Sequence, residues 1–241
     1  MADITPPTIA ITTNKSALKY GETALITFRI SEVATDFVLS DITVSGGTLS
    51  NFSGSGTTYS ATFTPLENST VAGLVSVGNY KFSDASGNAN EDGNEADNRL
   101  ALSIDTGIPT ITISSSKSIF GVGENALISF KLSEPSIDFT LSDVIVSGGA
   151  ITNFTGSGVN YSATFTPKAG VSTSGSITVG TNTFSDIAGN FNTRSSVYGI
   201  YLNTNSDPQV PKLTWVRRLG SDQTDSAEAL TIGIDGSIYV S

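Results

Sequence analysis

An internal repeat constrains the fold of this chain more strongly than any other feature, because a segment that recurs along a sequence folds into a recurring structural unit. The segment beginning at Pro7, Pro-Thr-Ile-Ala-Ile, returns at Pro109 as Pro-Thr-Ile-Thr-Ile, 102 positions later. At the same offset, Tyr-Ser-Ala-Thr-Phe-Thr-Pro at 59–65 recurs unchanged at 161–167. We therefore predict a first repeat over residues 1–104 and a second over 105–204.

The two copies differ in length in one segment. Past Asn90 and its counterpart Asn192, the first copy carries the acidic stretch Glu-Asp-Gly-Asn-Glu-Ala-Asp at 91–97. The closing strands then align at an offset of 98 rather than 102, so the second copy is four residues shorter. Because insertions and deletions between intact strands fall in surface loops, we predict a loop here.

Apolar side chains recur at every second position in both copies, as at Ala24, Ile26, Phe28 and Ile30. A period of two predicts half-buried strands. Further runs of the first repeat are Ile9/Ile11, Ile42/Val44, Leu49 to Phe52, Tyr59/Ala61/Phe63, Val75/Val77 and Leu100/Leu102/Ile104. Seven strands in about 100 residues is the count of an immunoglobulin-like β-sandwich.

The composition excludes several classes of function. The chain has no Cys and no His, which removes thiolate nucleophiles, Cys-ligated zinc and Ser-His-Asp catalysis. The net charge of −10 argues against nucleic acid, because phosphate binding needs clustered Lys and Arg. No apolar run approaches the roughly 18 residues of a membrane span. We expect a chain that is not an enzyme and does not insert into membranes.

Several motifs recur in order in both copies. In the first they read Gly-Glu at 21–22, Phe-Arg-Ile-Ser-Glu at 28–32 and Phe-Ser-Asp-Ala-Ser-Gly-Asn-Ala-Asn-Glu-Asp-Gly at 82–93. With these motifs, residues 3–204 resemble the Ig-like repeats of giant secreted bacterial adhesins and cyanobacterial surface proteins. The resemblance implies an extracellular or cell-surface spacer segment. Its partners would be neighbouring repeats of the same chain, while other parts of the parent protein would bind a surface glycan or protein ligand.

The repeat pattern ends after Asn203, and we predict a linker over 205–214 from its Asn and Pro content. From Trp215 to Ser241 the sequence resembles the repeat of bacterial seven-bladed β-propellers. The matching positions are Trp215, Leu219-Gly220, Asp225, Ala229, Asp235-Gly236 and Tyr239-Val240. These residues are fewer than one four-stranded blade needs, so the resemblance implies a hairpin with exposed edges. The predicted fold class is all-β, with two tandem Ig-like β-sandwiches plus a partial β-propeller blade.

Side-chain oxygens are predicted to gather at one pole of each sandwich. The loops after the second and sixth strands return to the pole where the first strand begins, so their polar side chains should meet there. The set of the first repeat is Asp3, Glu32, Asp36, Asp84, Asn88 and Asn90, to which the longer loop adds Asp92 and Asp97. The set of the second repeat is Asp105, Glu134, Asp138, Asp186, Asn190 and Asn192. Hard oxygen ligands in this number favour Ca²⁺, which we predict as a cofactor.

A metal-free interpretation of the same residues stays open. Asp-x-x-Gly-Asn, at 84–88 and again at 186–190, also forms Asx-turns without any ion. The stretch 88–93 begins like an EF-hand loop, but its twelfth position is Arg99 rather than Glu, so it is not an EF-hand. In the second repeat, Arg194 lies where the first has extra carboxylates, which weakens the case for an ion there.

Three functions are compatible with these observations. The first is a structural spacer whose domain junctions are stiffened by Ca²⁺. The second is a carbohydrate- or ligand-binding accessory module of a secreted protein, although Tyr20 and Tyr80 are not repeated and form no regular aromatic platform. The third is self-association through an exposed edge strand, which the net negative charge opposes at low salt.

Overall fold

The computed structural model describes residues 3–193 and 196–205, together with the backbone of two short strands near the C-terminus. Strands dominate, and the helices of the described part are single 3₁₀ turns at Leu39–Asp41, Ala96–Asn98 and Leu141–Asp143. None of them is long or apolar enough to cross a membrane. The predicted all-β class with tandem Ig-like sheets is confirmed.

The first repeat contains seven strands in two sheets. They are β1 (Ile9–Thr13), β2 (Ala17–Lys19), β3 (Ala24–Ala34), β4 (Ile42–Ser45), β5 (Gly47–Pro65), β6 (Gly73–Val77) and β7 (Arg99–Asp105). One sheet has the order β1-β3-β5 and the other the order β2-β7-β6-β4. All neighbours are antiparallel except β2 and β7, which pair in parallel.

The second repeat has the same topology. Its strands are β8 (Ile111–Ser115), β9 (Ile119–Phe120), β10 (Ala126–Ser136), β11 (Val144–Ser147), β12 (Gly149–Pro167), β13 (Ser172–Val179) and β14 (Ser196–Asn203). The sheets have the orders β12-β10-β8 and β11-β13-β14-β9.

Strand β5 folds back on itself. Leu66 donates its backbone N–H to Gly46 O at 3.1 Å, and the rings of Phe52 and Tyr59 stack at 5.7 Å. The reversal occurs near Gly54 and Gly56, which both have positive φ, a conformation that glycine adopts without steric cost. The predicted runs at Leu49–Phe52 and Tyr59–Phe63 are therefore the two arms of this one element. The strand at Ala17–Lys19 was not predicted, because three residues are too short to show an alternating pattern.

A cluster of aromatic rings forms the centre of each core. The ring of Phe37, in the loop after β3, packs edge-on against Phe28, Tyr59 and Phe82 at centroid distances of 5.7, 5.1 and 5.3 Å. Phe139 occupies the same place in the second repeat. Each such pair adds about 0.5–1.5 kcal/mol beyond the burial of apolar area. The phenol of Tyr59 also donates to Ala34 O, so this ring belongs to the core, as its register predicted.

Two further strands, β15 (Leu230–Ile232) and β16 (Ile238–Val240), pair as an antiparallel hairpin. Most of the predicted linker at 205–214 and the rest of the predicted propeller repeat at 215–241 lie outside the described residues. Arg194 also lies outside them.

Candidate metal centres

Each repeat carries an acidic turn after its sixth strand. In the first repeat, Asp84 Oδ1 accepts the backbone N–H groups of Ser86 and Asn88, both at 2.8 Å, and Asp84 Oδ2 accepts Asn88 Nδ2 at 2.8 Å. Gly87 completes the turn with φ of +86°. In the turn at 186–190, Asn190 donates its backbone N–H and its Nδ2 to the two carboxylate oxygens of Asp186. The Asx-turn predicted for this motif is therefore present in both copies.

Three carboxylates converge at the pole of each repeat. In the first they belong to Asp3, Glu32 and Asp84, and each offers an oxygen within 4.8 Å of the other two. In the second they belong to Asp105, Glu134 and Asp186, whose carboxylate oxygens also lie within 4.8 Å of one another. We call these sets the first triad and the second triad. In each, one aspartate precedes the first strand of the repeat that holds the other two residues, the glutamate lies on the third strand of that repeat, and the last aspartate is buried in the turn.

The residues of the second triad come from both sides of the junction. Asp105 ends β7, the last strand of the first repeat, while Glu134 lies on β10 of the second repeat. A Cβ on Gly107 would lie 2.6 Å from Glu134 Oε1 and 3.3 Å from Asp105 Oδ1. Gly107 therefore lies against both carboxylates, whereas the first triad forms with Thr5 at the equivalent position.

Burial and nearby negative charges raise the pKa of both glutamates. Burial raises the pKa of Glu32, and the negative charges of Asp3 and Asp84 raise it further. Burial, followed by Asp105 and Asp186, raises the pKa of Glu134 in the same way. In contrast, the hydrogen bond from Asn88 lowers the pKa of Asp84. A divalent cation would relieve this repulsion, and three carboxylates are suitable hard ligands for Ca²⁺.

Asp36 and Asp138, which were predicted as ligands, lie outside the triads and accept hydrogen bonds from protein groups. Asp36 Oδ1 accepts the backbone N–H of Ser83 at 2.7 Å. Asp138 accepts both the backbone N–H and the hydroxyl of Ser185, at 2.9 and 2.7 Å. Burial opposes the ionisation of Asp138, but the bonds from Ser185 and Ser136 outweigh it and lower its pKa. These aspartates fasten the loop after the long strand to the acidic turn.

Asn90, Asn192 and Asp92 are buried structural groups. Asn90 Oδ1 accepts the N–H of Lys81 at 2.7 Å, and its Nδ2 donates to Gly78 O at 2.9 Å. Asn192 makes the equivalent bonds in the second repeat. Asp92 Oδ2 accepts the N–H of Ile9 at 2.6 Å and so holds β1 against the acidic loop. Asp97 lies in the 3₁₀ turn before β7, exposed to solvent.

Asn88 and Asn190 lie beside the triads and orient them. Asn190 Nδ2 donates to Asp186 Oδ2 at 2.8 Å and to Asp105 O at 3.0 Å, which ties two triad residues together. Its Oδ1 accepts the backbone N–H of Tyr20, from the first repeat, at 2.7 Å. Lys19 Nζ donates to the neighbouring Gly189 O at 3.0 Å.

Sequence reasoning missed Lys19 and Tyr20 as junction residues. The available signal was the difference between the copies, since Gly121 and Val122 stand at the equivalent positions of the second repeat. A position where the two copies differ, between motifs that both copies share, is a candidate for a contact that only one copy makes.

Comparison with solved structures gives similar chains of low identity. The Escherichia coli adhesin FdeC is 15% identical with a TM-score of 0.45, over 81% of this chain and 64% of that one. Invasin, described as a bacterial integrin-binding protein, is 12% identical with a TM-score of 0.43, over 81% and 40%. The Yersinia pseudotuberculosis adhesin InvE is 11% identical with a TM-score of 0.32, over 93% and 66%. This chain spans less than two thirds of each of them.

A search of curated proteins found no match. A family model described as "Bacterial Ig-like domain" matches residues 3–101 and again residues 105–201. Both matches end before Trp215, so the resemblance of the C-terminal segment to a propeller repeat gains no support from them and stays a prediction. The two matches cover most of the chain and agree with the two observed repeats. The chain therefore belongs to the bacterial Ig-like domain family.

Proposed function

We propose that the two repeats form a non-enzymatic spacer of a bacterial cell-surface or secreted adhesin-like protein, and that Ca²⁺ stiffens the junction between them. The observation that supports this most directly is the origin of the second triad. Asp105 belongs to the last strand of the first repeat, whereas Glu134 and Asp186 belong to the second repeat. A cation shared by these carboxylates would fix the angle between the repeats.

The surface location is proposed from the family and from the resemblance of these repeats to those of giant secreted adhesins. FdeC and InvE are named as adhesins, and we propose that the parent of this chain has a related role. A catalytic role has little to support it, because no His or Cys occurs in the sequence.

Thermal unfolding in EGTA and in millimolar CaCl₂ tests whether the folded protein binds Ca²⁺. An ion that binds the folded state alone raises the midpoint of unfolding. We expect the wild type to gain several degrees in calcium, Glu134→Gln to lose most of this gain, and Glu32→Gln to lose the part that belongs to the first triad. Glu67→Gln removes a carboxylate that is exposed and outside both triads, so it is the matched control.

Equal midpoints of unfolding in EGTA and in calcium would contradict the proposed binding of Ca²⁺. They would not by themselves contradict the spacer role. MgCl₂ at the same concentration controls for general screening of the acidic surface, since the smaller ion demands a stricter octahedral geometry.

A further inference from the structure

The junction between the repeats is closed by a turn of the first repeat that docks into the pole of the second. This junction turn, Lys19-Tyr20-Gly21, begins at the last residue of β2. Its backbone N–H at Tyr20 bonds to Asn190 Oδ1, and its lysine ammonium bonds to Gly189 O. We call the receiving group, Asp105, Asp186, Gly189 and Asn190, the second socket.

The same socket exists on the first repeat, where it consists of Asp3, Asp84, Gly87 and Asn88. Asn88 Nδ2 bonds to Asp84 Oδ2 at 2.8 Å and to Asp3 O at 3.3 Å, as Asn190 does to Asp186 and Asp105. Gly87 and Gly189 also share a φ of +86°. The first socket is therefore built in the conformation that receives a turn in the second.

Burial shows that the second socket is covered and the first is open. Asn190 is 3% exposed, whereas Asn88 is only partly buried. A Cβ on Gly189 would lie 3.3 Å from Lys19 Nζ, while a Cβ on Gly87 would meet nothing within 4 Å. Among the described residues, no group donates to Asn88 Oδ1, the atom that corresponds to the acceptor of Tyr20 N–H.

We propose that the first socket is a docking surface for the junction turn of another Ig-like repeat, one that presents a lysine followed by a free backbone N–H. Charge supports this partner, because the first socket carries Asp3 and Asp84 beside Glu32 and would receive an ammonium group. The second repeat is a poor donor, because Gly121 and Val122 replace the lysine and tyrosine of the turn. The inference rests on the proposed spacer role and names the partner of its open pole.

An extended chain tests this proposal. A further copy of residues 3–106 replaces the residues before Thr5, so that Thr106 of the copy is followed directly by Thr5. Asp105 of the copy then takes the place of Asp3. Thr106 of the copy is kept because its hydroxyl bonds to Leu66 O and Ser69 O, which anchors the end of a repeat. Because the chain has no Cys, spin labels can be placed at Arg29→Cys in both the copy and the original, and distances measured by pulsed electron resonance.

The reference is the unextended chain labelled at Arg29→Cys and Lys131→Cys, which are exposed equivalents on either side of the native junction. In EGTA and in calcium alike, we expect the distance distribution of the added junction to coincide with that of the native junction. Asn88→Ala in the original first repeat should make the distance distribution of the added junction differ from the native one and leave the native junction unchanged. Asn190→Ala should change the distribution of the native junction only.

Two results would overturn the proposal. One is a distribution at the added junction that differs from the native one in either buffer while Asn88 is intact. The other is an added junction that Asn88→Ala leaves unchanged in both buffers. Failure of the calcium-stiffened spacer would show differently, as native distributions that do not respond to calcium.

Discussion

Single carboxylates of the triads give the clearest tests at the scale of the residue. The pKa of Glu134 is raised in the folded state, first by burial and then by Asp105 and Asp186. Between its unfolded pKa and this higher folded pKa, the folded state binds more protons than the unfolded state. Stability without calcium is therefore lost as the pH rises through that window.

Glu134→Gln should thus be more stable than the wild type at neutral pH in EGTA, because the amide removes a crowded charge. The difference should disappear well below pH 4.5, the ordinary pKa of a glutamate, because the carboxyl is then neutral in both states. Urea unfolding at several pH values measures this. A variant that is less stable than the wild type at neutral pH in EGTA would show that the carboxylate is held by favourable contacts.

Asn90 is expected to matter for stability rather than for ion binding. Asn90→Ala removes the acceptor of two backbone N–H groups, at Lys81 and Phe82, and leaves them without it inside the fold. Buried groups that lose a partner cost about 1–3 kcal/mol each, so we expect a loss of about 2–4 kcal/mol. Urea unfolding checks this, with the exposed Asn94→Ala of the same loop as control. Equal losses in the two variants would contradict the assignment.

At the scale of the element, close packing between neighbouring strands limits the size of side chains. A Cβ on Gly175, in β13, would lie 2.5 Å from Ser147 O and 3.1 Å from Ile200 Cγ1. Gly175→Ala should therefore lower the free energy of unfolding by about 1–3 kcal/mol, as overpacking does. Gly199 in the neighbouring β14 has open space around it, so Gly199→Ala should leave the midpoint nearly unchanged. A neutral Gly175→Ala would contradict the close approach.

Alternation and repetition made the long strands predictable, because a period of two assigns Ile26 and Phe28 to the buried face without any further information. The meeting of Asp84 with Glu32 was also predictable, since it follows from the order of strands in a sandwich. Asp36 and Asp92 were less predictable. Whether a carboxylate faces an ion or accepts a nearby backbone N–H depends on distances of a few ångströms, which residue type and spacing do not specify.

At the scale of the whole molecule, the angle between the repeats decides whether the chain can act as a spacer. That angle depends on the bonds from Lys19 to Gly189 and from Tyr20 to Asn190, which form only when both sandwiches are folded and adjacent. Alternating patterns within one repeat carry no information about such a contact. The sequence therefore predicted a junction with acidic residues, but not the turn that closes it.

The junction should also contribute to stability without any ion. Asn190→Ala removes the acceptor of Tyr20 N–H and the donor to Asp105 O, so the two repeats should unfold less cooperatively. Calorimetry in EGTA should show a broader or divided transition for this variant. Asn160 is exposed on β12 and does not belong to the acidic turn, so Asn160→Ala is the matched control within the second repeat. A single unchanged transition for Asn190→Ala would indicate that the contact is too weak to couple the repeats.

The most direct test of the calcium-stiffened spacer is the distance distribution between spin labels at Arg29→Cys and Lys131→Cys, measured in EGTA and in millimolar calcium. The labels lie on corresponding strands of the two repeats and report their relative motion. We predict a broad distribution in EGTA that narrows in calcium, and a distribution that stays broad in both when Glu134→Gln is added. Equal widths in the two buffers for the unmodified triad would contradict the account.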